Sequence, residues 1–196
     1  VTRRPLLAAI LAATCLLPVA AQAHLVSTRF GDFYGGMLHP LTALEHVLPM
    51  LALGLLAGLQ EPRVARWVLA AAPAGLLCGL LLATVVPSLA WVPVFNRATF
   101  VLLGALVALG ARLPAAGLAV IAGVFGLTHG YENGIALDSG IQTYLFALGI
   151  FTVGLVAWSL VAATTITLVR RAAWVRIAVR AAGSWIAAIG VMILAV

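Results

Sequence analysis

Residues 155–169 read LVAWSLVAATTITLV, and comparable runs recur along the chain. They hold no charge, and their apolar side chains fall on every side of a helix or a strand. Such a segment is stable only deep in a large core or in lipid. A large soluble core is excluded by composition. Of the 196 residues 8% are charged and 64% hydrophobic, whereas about a quarter of a soluble domain is charged. A soluble enzyme, a DNA-binding domain and a disordered tail are therefore ruled out. In lipid each segment must satisfy its own backbone, and an outer-membrane barrel would alternate polar with apolar residues, which these runs do not. The expected fold is all-α, a polytopic transmembrane helix bundle.

The formal charge of +6 rests on eleven basic residues, all arginine. They lie in short stretches between the apolar runs rather than on one face. That pattern predicts a lipid bilayer as partner and no nucleic acid.

Residues 1–23 form an expected secretory signal peptide. Arg3 and Arg4 supply the charged start, Leu6 to Leu17 a short apolar stretch, and Ala21-Gln22-Ala23 an A-x-A cleavage site. Cleavage would leave residues 24–196 as a single membrane domain beginning at His24. It would also leave Cys78 as the lone cysteine, expected as a small packing residue.

About 20 apolar residues span a bilayer. Six spans are expected, at 40–59, 67–87, 95–111, 115–131, 141–169 and 176–196. Glycines four apart, as in Gly54/Gly58, Gly75/Gly79 and Gly126/Gly130, would let helices approach closely. With the mature N-terminus outside, six spans return the C-terminus outside. Arg63, Arg66, Arg112, Arg170, Arg171, Arg176 and Arg180 then fall inside, and Arg29 and Arg97 outside. This is the positive-inside bias. It predicts a multi-pass membrane protein with both mature ends outside, in the periplasm or at the cell exterior.

The same topology gathers all four histidines and every acid but Glu61 toward the outer side. Ionisable groups in spans are costly and point to function. The first group is His39-Pro40, then Glu45-His46, then Pro49-Met50. Pro40 suits a first helical position, which would put His39 at the helix entrance. His46 would lie about 10 Å deeper on the same face of a regular helix. Both reach one ion only if the chain bends; otherwise they form a mouth site and a deeper one. Pro49 frees the Glu45 carbonyl, and Met50 offers a soft thioether. The second group is His129 and Glu132, three apart and so on one face. Asp32 and His24 are weaker candidates, His24 as an N-terminal chelate favouring copper. Imidazole, carboxylate and thioether together suit a divalent transition metal such as nickel, cobalt, copper or zinc. Each group also has a structural reading: interfacial anchoring for His39, buried pairing for Glu45 and His46, core packing for Met50.

With His39-Pro40, Glu45-His46 and Phe125…His129-Gly130-x-Glu132, the chain resembles the HupE/UreJ family as a divergent member. The resemblance covers the mature chain. Ala43 and Glu45 stand where the family's first motif carries Gly and Asp, and Gly126 and Leu127 replace the first His-Gly of its second. The resemblance implies nickel or cobalt uptake. The expected function is thus a secondary metal permease capturing its ion outside through His39, Glu45, His46, His129 and Glu132. The alternatives are a membrane-embedded metalloenzyme and a metal storage or delivery protein. A homo-oligomer or a periplasmic metal-delivery partner is compatible with each.

Overall fold

The computed structural model describes residues 23–195, with side chains from Gly31 onward. The expected signal peptide and the His24 side chain lie outside these limits. Among the described residues there are seven helices and no strand: α1 (Ala23–Thr42), α2 (Leu44–Gly58), α3 (Pro62–Leu82), α4 (Trp91–Leu109), α5 (Ala115–Ile135), α6 (Thr143–Arg171) and α7 (Ala173–Leu194). The protein is a multi-pass helical membrane bundle.

Four helices (α3, α4, α6 and α7) are long and apolar enough to cross a membrane. The expected first span, 40–59, is not one straight helix. The segments Gly31–Thr42 and Leu44–Gly58 meet at 79°. Ala43 between them is extended, with φ −117 and ψ 126. Pro40 therefore does not open a span. It sits in the last turn of α1, and α2 starts four residues later. A second kink lies at Gly31, whose φ of 79 favours glycine. α5 has spanning length at 21 residues, but its polar last two turns keep it outside the set of fully apolar helices. α3 also begins five residues earlier than expected, because Pro62, whose fixed φ suits a first turn, opens it.

Close backbone approach organises the bundle. α3 packs most extensively on α5, α4 on α7, and α1 and α2 on α6. In the α3–α5 seam a Cβ on Gly79 would stand 2.0 Å from the Leu127 carbonyl oxygen, and one on Gly126 2.1 Å from that of Ala72. Gly54 and Gly58 of α2 likewise abut Val161 and Thr165 of α6. The four-residue glycine spacings are thus the helix contacts themselves. Cys78 is not a packing residue: it lies on the exposed side of α3, since Leu76, Gly79 and Leu80 occupy the buried side.

The two ends of the bundle differ in chemistry. The start of α2, the start of α4 and the end of α5 bring His46, Asn96 and His129 together. About 20 Å away along α2, at 1.5 Å per residue, Glu61, Arg112, Arg170 and Arg176 line one cavity of about 310 Å³. Gln60 ties that end. It donates to the Leu56 and Ala111 carbonyl oxygens at 3.0 and 2.9 Å and accepts from the Leu113 amide at 3.1 Å.

Candidate metal centre

The bend at Ala43 decides where the first histidines go. It folds the end of α1 back on the start of α2, and the His39 and His46 rings come within 5.1 Å, centre to centre. Of the two arrangements open to the sequence, a bent chain and a regular helix, the chain is bent, and the two rings lie side by side. The His39 ring also meets Phe146 of α6 edge-on at 5.5 Å. The next imidazole is His129 of α5, its ring centre 6.3 Å from that of His46. Two imidazoles seven positions apart and a third from a distant helix thus become successive neighbours. With metal–nitrogen bonds of about 2.0–2.1 Å, two imidazoles on one ion place their ring centres roughly 5 to 6.5 Å apart, from tetrahedral to linear. Both separations lie in that range.

Glu45, His46, His129 and Glu132 all line one cavity of about 50 Å³, together with Asn96, Arg97, Pro93 and Phe100. His129 is buried, His46 and Glu132 are half-buried, and Glu45 is exposed at the rim with Arg97. The donors do not yet converge on one point. Among the described residues no three His, Cys, Asp or Glu side chains are arranged to hold an ion. A cation entering this space must turn at least one side chain toward itself, and exposed Glu45 is the freest to move.

α4 supplies a support that reasoning on His and Glu alone missed. Asn96 is buried, and its Nδ2 donates to Glu132 Oε2 and, at 3.1 Å, to the Thr128 carbonyl oxygen. Both partners are acceptors, so the amide orientation is set and Oδ1 faces the other way. Asn96 Oδ1 is buried and has no hydrogen-bond partner in the protein. Thr99, one turn on, donates to the Asn96 carbonyl oxygen at 2.6 Å and stands 3.2 Å from His129 Nε2. A Thr99 hydroxyl that donates to Asn96 can accept from His129 Nε2–H, the tautomer that leaves the Nδ1 lone pair for a ligand. The His129 ring is held from the other side by Phe125 at 4.2 Å. This is the outer support that metal-binding histidines use to fix ring orientation and tautomer. A lone Asn in an apolar span is the signal that could have found it.

The weaker candidates separate. Met50 is buried one turn beyond His46, in a small cavity that both His46 and His129 also line. Asp32 is engaged at the start of α6, where its Oδ2 accepts from the Gln142 amide at 2.9 Å.

The donor set at this end is imidazole, carboxylate and amide oxygen, with a thioether beyond. It suits a borderline divalent ion better than magnesium or calcium, which prefer oxygen alone. A family model described as HupE / UreJ protein matches residues 11–193. Protein HupE of Rhizobium leguminosarum bv. viciae is 30% identical over 128 residues, an alignment covering 65% of this chain and 66% of that relative. The chain thus spans just under two thirds of the length of the curated relative it matches. No solved structure matches the chain. With its first and second histidine motifs facing one cavity and a family match over nearly its whole length, the chain belongs to the HupE/UreJ family.

Proposed function

We propose that the protein is a secondary permease for a divalent transition-metal ion of the nickel and cobalt class. The observation that carries this reading is the convergence of Glu45 and His46 with His129 and Glu132, more than eighty positions apart in sequence, on one small cavity. Burying a histidine and a half-buried carboxylate in an apolar bundle is costly without a cationic ligand or a full set of hydrogen bonds. In this reading His39 receives the ion at the bend, His46 and His129 take it between them, and Glu45 and Glu132 balance its charge. Asn96 holds Glu132 and turns its free oxygen to the ion.

The proposed setting is a bacterial inner membrane. Residues 1–23 are removed, the His/Glu end faces the periplasm, and the arginine-lined end faces the cytoplasm, as the positive-inside rule requires. Transport is passive or ion-coupled, because the sequence carries no G-x-x-x-x-G-K-[ST] phosphate loop for nucleotide hydrolysis.

The test is metal flux. Purified protein in sealed proteoliposomes loaded with a metal-quenched dye should admit Ni²⁺ or Co²⁺ faster than protein-free vesicles. Binding without flux would instead support a storage or delivery role.

A further inference from the structure

The arginine-lined cavity at the far end of the bundle is larger than the space at the histidines, about 310 Å³ against about 50 Å³. Arg112 before α5, Arg170 at the end of α6 and Arg176 in the first turn of α7 line it together with Glu61. Three guanidiniums against one carboxylate leave a formal charge of +2. All four side chains are exposed, and among the described residues none of them makes an ion pair or a hydrogen bond. Such a cavity repels cations and complements an anion. The planar fork of arginine matches phosphate in particular.

Two tryptophans mark the depth. Trp67 and Trp174 are 43% and 68% exposed, one beside Arg66 and the other two positions before Arg176. Exposed tryptophan with arginine at the ends of spans belongs at the headgroup level of a bilayer. A long apolar groove of about 600 Å³ starts at the same place, between α2, α6 and α7. Leu168 and Val175 line the groove, and their chain neighbours Val169 and Arg176 line the cavity. Consecutive helical residues point about 100° apart, so the two spaces adjoin along both helices. On α7 the groove runs from Val175 to Ile189, about 21 Å at 1.5 Å per residue. The hydrocarbon of one leaflet is about 15 Å deep, half of a core of about 30 Å. A free anion would fill the cavity and leave the groove without an occupant, and a neutral lipid would do the reverse.

We propose that this end of the bundle binds one anionic phospholipid, its phosphate held by Arg112, Arg170 and Arg176 and one acyl chain lying in the groove between α2, α6 and α7. The headgroup would then tie the connection before α5 to α6 and α7, so its binding stabilises the bundle. The site does not depend on the permease reading.

The test uses the full chain, stripped of lipid in a neutral detergent. It is titrated with dioleoyl phosphatidylglycerol, with phosphatidylcholine of the same acyl chains, or with millimolar inorganic phosphate, and read by native mass spectrometry and thermal unfolding. Phosphatidylglycerol should bind severalfold more tightly than phosphatidylcholine and raise the melting temperature more. Equal binding of the two lipids overturns the proposal. So does inorganic phosphate that stabilises as much as phosphatidylglycerol, which would make the ligand a free anion. Each basic residue beside an anionic headgroup contributes roughly fivefold, so Arg170→Gln with Arg176→Gln should cut the preference by about tenfold or more. Arg63→Gln with Arg66→Gln removes the same charge from the same end but outside the cavity, and should keep it. An equal loss in both double variants overturns the site in favour of diffuse surface charge. Leu168→Trp, at an exposed position of the groove, should weaken phosphatidylglycerol binding severalfold with every charge in place. Wild-type binding in that variant overturns the acyl-chain seat.

Discussion

Gly130 follows His129 directly, and its substitution links helix packing to the metal centre. A Cβ at this position would stand 2.1 Å from the Leu76 carbonyl oxygen and 2.8 Å from the Leu76 carbonyl carbon and Cα. Ordinary contact begins near 3.4 Å, so the shortfall is about 1.3 Å against backbone that cannot swing aside. In Gly130→Ala, α5 must withdraw from α3 by on the order of 1 Å. Overpacking of this kind costs about 1–3 kcal/mol, partly offset by the roughly 1 kcal/mol by which Ala exceeds Gly in a helix. His129 moves with the backbone, and a binding constellation tolerates displacements of only about 0.5 Å. Metal affinity should fall by about tenfold or more, which is a loss of about 1.4 kcal/mol. Gly123→Ala, two turns earlier on α5, is the matched control. Its Cβ would meet Ala71 Cβ at 3.9 Å, an ordinary contact. The assay is thermal unfolding in detergent with calorimetric Ni²⁺ or Co²⁺ titration. Gly130→Ala should melt earlier and bind weakly, and Gly123→Ala should match the wild type or exceed it in stability. Equal behaviour of the two variants would refute the coupling between the α3–α5 seam and the site.

Thr99→Val keeps the side chain's shape and removes the hydroxyl beside His129 Nε2, so metal affinity should drop by about 10–100-fold with the fold intact; unchanged affinity would show that Thr99 does not hold the tautomer. Asn96→Leu strips Glu132 of its donor, at a cost of about 1–3 kcal/mol for the group left unpaired, and should lower both melting temperature and metal binding. Imidazole and carboxylate bind metal only when unprotonated, so bound Ni²⁺ or Co²⁺ should be released on acidification; an ion retained in strong acid would exclude imidazole and carboxylate ligands. Intact-mass analysis of protein purified from membranes should give a chain starting at His24, and a retained residue 1–23 would contradict the signal-peptide reading.

Much of the bundle was legible from hydropathy alone, because apolar runs in lipid leave helix as the only outcome for spans such as α6 and α7. The glycine contacts were equally readable, since four-residue spacing of small residues is a surface property of one helix. The bend at Ala43 was not. Pro40 fits both the first turn of a helix and the end of one, and only the packing of α1 against α6, where Gly36 meets the Phe146 carbonyl oxygen, selects the second. The bend also explains why the rings of His39 and His46, seven positions apart, lie 5.1 Å from each other. The second residue group, His129 with Glu132, was visible as ionisable residues in an apolar span. Asn96 stood out only as a lone amide in an apolar span, Thr99 not at all, and the pairing of both with α5 is tertiary.

The central claim is that His46 is a metal ligand, and its substitution by glutamine tests this most directly. The amide preserves length and hydrogen bonding but binds a borderline metal poorly. Leu44→Ala, exposed on the same helix, is the control. Metal content per protein and Ni²⁺ or Co²⁺ flux are measured on the same monodisperse preparations. The account predicts that His46→Gln loses most of both while Leu44→Ala keeps them. Wild-type metal content and flux in well-folded His46→Gln would contradict the site and the permease mechanism built on it.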